Sequence, residues 1–301
     1  MSIFLKAVPA IFVLLWSTGF IGSKMGTPYA EPLTFLVLRY VAVLALLGLS
    51  MIIIRPPRGL TMRERGHAMV VGMLIHGLYL GGVFWSISRG MPAGVAALIV
   101  GLQPLITALF AGVALGERID LRYWIGMAVG LVGISLVLGP KAGLAGGGIT
   151  PQTVGTCLIA VLGISFGTIY QKRYAQQMEM RGGVFYQYAG AGALTALAAV
   201  FTETGTVQWT GEFIFALGWL VLVLSLGAIS LLMLLIRKGE VSRVAGLFYL
   251  VPAATAVEGY FLFGEELALI QIVGMVIAIG AVALVSRPRR AVAKTAEAPA
   301  S

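Results

Sequence analysis

The sequence has few charged residues for its length. Asp, Glu, Lys and Arg make up 11% of its 301 residues, whereas 59% are hydrophobic and the mean hydropathy is +0.96. Soluble domains carry about 25% charged residues, so this composition excludes an ordinary water-soluble protein. Apolar stretches of about 20 residues, the length that crosses a bilayer, recur along the chain and predict membrane-spanning helices.

Residues that carry catalytic or metal chemistry are also scarce. With one cysteine, Cys157, and two histidines, neither an intramolecular disulfide nor a Cys/His metal cluster is expected. The chain lacks a His-Glu-x-x-His motif and a glycine-rich loop ending in Gly-Lys-Ser or Gly-Lys-Thr, which argues against a metalloprotease and against a P-loop. A serine nucleophile paired with His76 stays open, although no motif supports it. We expect no catalytic residue, no metal and no bound cofactor.

A duplication runs through the chain at a constant offset of 148 residues. Positions 89–140 and 237–288 align without a gap and share 14 identities over 52 positions, including Pro104 on Pro252. In a very apolar chain, such repeats predict a transporter whose substrate site lies between the two halves.

The sequence predicts an all-α membrane protein with ten transmembrane helices in two repeats of five. Because five is odd, the repeats must cross the membrane with opposite orientations. We divide the chain into a first repeat at 1–140, a Gly-rich linker at 141–150, a second repeat at 151–288 and a disordered cytoplasmic tail at 289–301. The helices are expected near residues 4–22, 32–54, 68–88, 92–115, 122–139, 153–172, 182–202, 212–236, 241–263 and 268–286.

The distribution of Lys and Arg predicts that both termini are cytoplasmic. With that orientation, 17 of the 21 basic residues lie in cytoplasmic segments, three lie on the opposite face and Arg39 lies within helix 2. This is the positive-inside bias of membrane proteins. The net charge of +9 therefore reflects topology and contact with the lipid bilayer, and no nucleic-acid partner is expected.

Pro104 and Pro252 occupy equivalent positions, each in the middle of a predicted helix. A proline inside a helix removes a backbone hydrogen bond and kinks the helix. Paired interruptions in corresponding segments mark the substrate region of inverted-repeat transporters. We favour a hinge function for both prolines over the alternative that they only shape the bundle.

The candidate substrate-binding residues are polar or aromatic side chains at membrane depth. Glu258 is the one acid well inside a predicted span, and Arg39 lies at a similar depth, so the two could form a pair. Whether such a pair would be structural or would serve substrate or proton binding stays open. Aromatic and polar walls suit a ligand with an aromatic or amphipathic body. The candidates are Trp16, Arg39, Tyr40, His76, Tyr79, Gln103, Tyr249 and Glu258.

Helices 5 and 10 carry small residues four positions apart and few polar groups in mid-span. The pairs are Gly126 with Gly130 and Gly274 with Ala278. Small residues at this spacing let helix backbones approach closely. The two helices are therefore expected to pack within the chain or, alternatively, to form the interface of a homodimer.

These features resemble the EamA-type members of the drug/metabolite transporter superfamily. The resemblance covers residues 4–288 and is carried by Trp16-Ser17-x-x-Phe20, by Arg39, and by a proline followed by Gly-Glu in helices 4 and 9. In length, helix count and the aromatic content of helices 1 and 3, the chain is similar to YddG-type exporters of aromatic amino acids. One departure is Gln187, which occupies the repeat position that corresponds to Arg39.

The resemblance implies a basket-shaped bundle around a central cavity, with helices 3, 4, 8 and 9 as moving gates. It also implies that Trp16, His76, Tyr79 and Gln103 lie in that cavity. We expect an exporter of aromatic or neutral amino acids that works by alternating access in a bacterial inner membrane. Export of another solute, such as a purine, a sugar derivative or a cationic drug, is the first alternative, and a non-transporting membrane scaffold is the second.

Overall fold

The computed structural model describes residues 3–54, 58–91, 96, 99–116, 121–142, 150–238, 244, 246–263 and 268–286. Within these residues the fold is helical throughout, and the one extended contact is an isolated bridge between Ala30 and Val207. The predicted all-α class is therefore confirmed. The described residues do not include most of the linker at 141–150 or any of the tail at 289–301. Of the two Gly-Glu pairs, only Gly116 is described.

The helices are labelled α1 to α10 in chain order. Their bounds are α1 Ile3–Gly26, α2 Pro32–Ile53, α3 Met62–Gly72 continuing through a π-helical segment Met73–Leu80 into Gly81–Ser88, α4 Gln103–Leu115, α5 Leu121–Ala142, α6 Pro151–Tyr170 continuing into π-helical Gln171–Ala175, α7 Met180–Thr202, α8 Gly211–Trp219 continuing through π-helical Leu220–Ala228 into Ile229–Lys238, α9 with a 3-10 turn Leu247–Leu250 followed by Val251–Phe263, and α10 Leu269–Ser286.

Six of these helices are long and apolar enough to cross a membrane, namely α1, α2, α3, α6, α7 and α8. The remaining four contain shorter apolar stretches of 10–17 residues. Large apolar side chains point away from the protein, including Ile52 and Phe201, which are 78% and 80% exposed. Lipid solvates such a surface and water does not, so the chain is a multi-pass membrane protein.

The sequence duplication is also a duplication of helix geometry. Gln103–Leu115 of α4 and Val251–Phe263 of α9 are related by 148 residues at both ends. The π-helical segments Met73–Leu80 and Leu220–Ala228 recur at the same offset to within a residue. Irregular helix geometry therefore repeats along with the regular segments.

The two prolines do not lie in the middle of continuous α-helices, and that expectation was wrong. Pro104 stands in the first turn of α4, directly after a turn at 101–102. Pro252 stands in the first turn of the α-helical part of α9, after the 3-10 turn Leu247–Leu250. At the first turn of α4, Pro104 removes no helical hydrogen bond, because first-turn N–H groups have no partner within the helix. Pro252 directly follows a 3-10 turn in which the Phe248 carbonyl oxygen accepts from the Val251 N–H. In each repeat the regular α-helix is interrupted just before the proline, at residues 101–102 in α4 and at Leu247–Leu250 in α9. The interruption is therefore itself a repeated feature.

Helix α3 begins at Met62 rather than near residue 68 because a capping box starts it. The Thr61 hydroxyl accepts a hydrogen bond from the Glu64 N–H at 3.2 Å, and the Glu64 carboxylate accepts one from the Thr61 N–H at 2.8 Å. Hydropathy missed this turn since it carries Arg63, Glu64 and Arg65. The Thr-x-x-Glu spacing was the signal that would have predicted it.

Close backbone contacts hold the bundle together at glycines. A Cβ atom on Gly133 of α5 would lie 2.8 Å from the backbone N of Ala278 and from the carbonyl oxygen of Gly274 in α10. The small residues of α10 therefore pack within the chain, against α5. A Cβ on Gly72 of α3 would lie 1.8 Å from the carbonyl oxygen of Gln187, so α3 and α7 also approach closely.

Candidate functional site

A small cavity of about 40 Å³ lies between α1, α2, α3 and α8. A buried water needs about 10–15 Å³, whereas ligand sites span roughly 300–1,000 Å³, so in this conformation the cavity admits water but not a metabolite. The residues that line it are Trp16, Gly19, Phe20, Ser23, Arg39, Tyr79, Leu80, Val83, Phe84, Leu224 and Ile229. One buried cation therefore faces a wall that is otherwise mainly aromatic and aliphatic.

The Trp16 indole forms the part of this wall that joins the two repeats. Its ring centroid lies 5.2 Å from Phe12 of α1 and 5.2 Å from Phe248, which belongs to the 3-10 turn of α9. Tilted and edge-to-face aromatic contacts of this kind are favourable beyond the area they bury. The 3-10 turn that interrupts α9 thus places the Phe248 ring against Trp16 of the cavity wall.

Arg39 is buried and makes a hydrogen bond across to α8. Its Nε donates to the Ser225 hydroxyl at 2.8 Å, and the residue is 3% exposed. Among the described residues, no carboxylate lies within 4.0 Å of the guanidinium. The expected pair with Glu258 is not formed, because Glu258 accepts a 2.5 Å hydrogen bond from the Ser17 hydroxyl instead.

A polar cluster forms between the π-helical part of α3 and the facing turn of α7, and α3 also supplies Tyr79 to the cavity wall. The His76 ring stacks on Tyr188 with centroids 4.5 Å apart, and the Tyr40 hydroxyl donates to the His76 carbonyl oxygen at 2.7 Å. Both His76 ring nitrogens, the Tyr188 hydroxyl and the Gln187 amide nitrogen are buried without a hydrogen-bond partner. Unpaired buried polar atoms are rare in folded proteins. Their concentration here indicates a place for water or a polar ligand.

Gln103 and Tyr249 are buried but are not among the residues that line the cavity. The Gln103 amide donates to the Thr107 hydroxyl at 2.9 Å, and its side-chain oxygen has no partner. Tyr249 packs against Gly130 of α5, and its hydroxyl is also unpaired. Both residues therefore keep unused hydrogen-bonding capacity away from the cavity in this conformation.

Five predicted binding residues lie on the cavity wall or in the polar cluster, whose Tyr40 and His76 neighbour the lining residues Arg39 and Tyr79 in α2 and α3. They are Trp16, Arg39 and Tyr79 on the wall, and Tyr40 and His76 in the cluster. Sequence reasoning missed Ser225 and Tyr188 as candidates. Ser225 was detectable as the only hydroxyl in the apolar run Leu220–Ala228, and Tyr188 as the repeat equivalent of Tyr40.

We call the end of the bundle formed by residues 27–31 and 203–210 the first-loop end. A polar pocket of about 350 Å³ opens there. The Glu203 carboxylate accepts hydrogen bonds from the N–H groups of Leu33 and Thr34, at the start of α2. The Glu31 carboxylate accepts from the N–H groups of Thr204 and Thr206 at 2.9 and 3.1 Å. The α1–α2 and α7–α8 loops are therefore joined.

We call the opposite end, formed by residues 58–61 and 176–179, the second-loop end. Basic side chains there donate to carbonyl oxygens where other helices end. The Lys172 ammonium donates to the Ile236 oxygen at 2.8 Å, and the Arg173 guanidinium donates to the Ala114 oxygen at 2.7 Å. Cations are favourable at helix C-termini because the helix dipole is negative there. Helix α6 is thus tied to α8 and α4, and both ends of the bundle are bridged.

Comparison with known proteins places the chain in a family. The profile of the EamA-like transporter family matches residues 6–139 and again residues 153–287. These two matches cover most of the chain. The protein therefore belongs to the EamA-like transporter family.

Several curated proteins are similar to the chain over most of both lengths. The uncharacterized transporter YvbV of Bacillus subtilis (strain 168) is 26% identical over 94% of this chain and 91% of its own length. The uncharacterized inner membrane transporter YedA of Escherichia coli (strain K12) is 27% identical over 92% and 89%. A probable amino-acid metabolite efflux pump of Salmonella typhimurium is 24% identical over 89% of each chain.

A solved crystal structure has the same fold. It superposes with a TM-score of 0.74 and 20% sequence identity, and the match covers 93% of this chain and 95% of the other. At this identity the likeness concerns the fold alone.

Proposed function

We propose that the protein is a secondary transporter that exports small metabolites, namely aromatic or neutral amino acids, by alternating access. The observation that carries the proposal is the cavity between α1, α2, α3 and α8, where aromatic walls meet a buried cation and unpaired polar atoms. Membership of a transporter family and similarity to a probable amino-acid metabolite efflux pump support the same function.

The proposed architecture has ten spans in two inverted repeats, at 1–140 and 151–288, with both termini in the cytoplasm. It rests on the odd number of helices per repeat and on the bias of Lys and Arg toward one face. The second-loop end would then be cytoplasmic and the first-loop end external. We place the protein in a bacterial inner membrane, as one relative's name states for that relative.

Alternating access in this bundle requires two sets of contacts to break in turn. The cavity is too small for an amino acid, so α1, α2, α3 and α8 must separate before a substrate can bind. Separation toward the cytoplasm would break the Lys172 and Arg173 hydrogen bonds at the second-loop end. Separation toward the outside would break the Glu31 and Glu203 hydrogen bonds at the first-loop end.

Purified protein in liposomes, offered a panel of labelled amino acids on one side, tests this function. We expect aromatic or neutral amino acids to cross faster than in protein-free liposomes. A purine, a sugar derivative and a cationic drug in the same panel test the alternative substrates. If no solute crosses above background, the protein is a scaffold and not a transporter.

Single alanine variants of His76, Tyr79 and Gln103 test the binding residues in the same assay. A substrate hydrogen bond contributes about 0.5–1.5 kcal/mol, so apparent affinity should fall roughly twofold to tenfold for each residue that contacts substrate. Val129→Ala serves as the control, since Val129 lies on the exposed side of α5. Unchanged transport in all three variants would remove these residues from the site.

A further inference from the structure

We propose that Arg39 binds an anionic group of the substrate, a carboxylate, while the aromatic cavity wall receives the apolar part of the same molecule. The inference rests on the proposed transport function and names the substrate class: an amphipathic molecule that carries a carboxylate, as amino acids do, rather than a solute without an anionic group.

The charge of Arg39 is uncompensated within the described part of the protein. The six glutamates found there all bind other groups, and the one nearest in depth, Glu258, is hydrogen-bonded to Ser17. A buried cation without a counter-ion is costly at membrane depth. An anion that binds and leaves would supply the missing charge during part of the transport cycle.

The guanidinium also has unused donors. It carries five N–H groups. Of these, only the Nε–H forms a hydrogen bond to another described residue, the Ser225 hydroxyl. The Tyr188 hydroxyl lies close to both Arg39 and Ser225 but forms no hydrogen bond of normal geometry. The two terminal nitrogens thus keep N–H groups for a ligand beside the Tyr188 hydroxyl, and their fork matches the two oxygens of a carboxylate.

The surroundings of Arg39 fit the rest of an amphipathic molecule. The Ser23 hydroxyl lines the same cavity, is 1% exposed and has no partner, so it is a second polar contact for the ligand. Phe20, Phe84 and Trp16 supply aromatic surface on the same wall. The cavity therefore has one polar corner and one apolar side.

Only the first of the two repeats carries a cation at the position of Arg39. Gln187 of α7 corresponds to Arg39 of α2, and its neutral amide faces α3, where its nitrogen is unpaired. Two symmetric anion sites are therefore excluded by charge. Among the described residues that line the cavity, Arg39 is the one cation, so it provides for one carboxylate and repels a cationic drug.

Binding to the wild-type protein in lipid nanodiscs tests the inference directly, by calorimetry with matched pairs of probes. The pairs are L-phenylalanine with L-phenylalaninamide, and 3-phenylpropanoate with 3-phenylpropanamide. A hydrogen bond to a charged group is worth enough that each acid should bind about tenfold to a hundredfold more tightly than its amide. Equal binding of the acid and the amide in both pairs would overturn the inference.

Variants of Arg39 assign the preference to this side chain. Arg39→Gln should bring the acid-to-amide affinity ratio close to one, and Arg39→Lys should lower it while keeping part of it, because lysine retains the charge and loses the fork. The exposed Arg63→Gln should leave the ratio unchanged. If Arg39→Gln does not fold, Arg39→Lys still decides, since an unchanged ratio in Arg39→Lys contradicts carboxylate binding through the fork.

The two proposals can fail separately. If no amino acid is transported, yet 3-phenylpropanoate binds with an Arg39-dependent preference over its amide, the amino-acid function is wrong and the carboxylate site stands. If amino acids are transported and the acid-to-amide ratio is one in the wild type, the transport function stands and the carboxylate site is wrong.

Discussion

The Ser17 hydroxyl donates a 2.5 Å hydrogen bond to one carboxylate oxygen of Glu258 and thereby joins α1 of the first repeat to α9 of the second. Glu258 is partly exposed, and its other oxygen has no partner. His76, whose imidazole can also change charge near neutral pH, is 1% exposed. Glu258 is thus an acid–base group that touches a helix of the opposite repeat and keeps one buried carboxylate oxygen without a partner.

Glu258→Gln is expected to keep the contact with Ser17, because the amide oxygen can accept the same hydrogen bond. If wild-type transport responds to a pH gradient, Glu258→Gln is expected to lose that response. His76→Gln is expected to retain that response. The measurement is the initial transport rate into liposomes with and without an imposed gradient. A full response in Glu258→Gln, with loss in His76→Gln, would reverse the assignment.

Pro104→Ala and Pro252→Ala are expected to fold with a stability within about 1 kcal/mol of the wild type, because both prolines stand in first helical turns. Transport should slow severalfold, since alanine lets the helix extend back across the interruption. Initial rates and thermal unfolding in detergent measure the two effects. Pro151→Ala, at the start of α6, is the matched control and should transport normally. A wild-type rate in Pro104→Ala would end the hinge hypothesis at that position.

Gly72→Ala is expected to destabilise the protein by about 1–3 kcal/mol or more, because the new methyl group would lie 1.8 Å from the Gln187 carbonyl oxygen and α3 and α7 would have to separate. Gly66→Ala in the same helix meets nothing within 4 Å and should be neutral or stabilising, since alanine favours helix more than glycine. Thermal unfolding of the two variants beside the wild type gives the comparison. Similar midpoints for both would contradict the close packing.

Cysteines introduced singly at position 146 and at Arg63, with the buried Cys157 replaced by serine, test the ten-span topology. Position 146 lies in the linker, outside the described residues. In intact cells an impermeant thiol reagent should label the cysteine that replaces Gly146 and should not label the one that replaces Arg63. Equal labelling of the two would contradict the inverted arrangement with cytoplasmic termini.

Glu31, which lies at the first-loop end, should make the unfolding temperature of the protein depend on pH. Partial desolvation raises the pKa of Glu31, but the hydrogen bonds from Thr204 and Thr206 outweigh it and hold the pKa below its ordinary value. A carboxyl group whose pKa is lowered by folding stabilises the folded protein at a pH above its unfolded-state pKa of about 4.3. This stabilisation is lost as the pH falls through the pKa of the folded state. The unfolding temperature of Glu31→Gln should therefore fall less than that of the wild type below pH 5. Parallel curves would exclude the effect.

Local signals in the sequence were sufficient for much of the fold. The bounds of α4 and α9 repeat at the offset that Pro104 and Pro252 had already defined, because equivalent residues impose equivalent backbone geometry. The start of α3 was also encoded locally, by Thr61 and Glu64, although hydropathy alone passed over it. Features that depend on one helix and its nearest neighbours in the chain could therefore be predicted.

The sequence by itself determined that the protein lies in a membrane, that it is all helical and that it is built twice from one pattern, since composition and repetition are properties of the chain. The partners of its buried polar residues were decided only by the tertiary structure. Arg39 contacts Ser225 rather than Glu258, because each helix residue turns the side-chain direction by about 100°, and depth in the membrane says nothing about that rotation. The packing of small residues such as Gly72 and Gly133 decides which helices face one another and at which angle they cross. This packing involves the whole bundle.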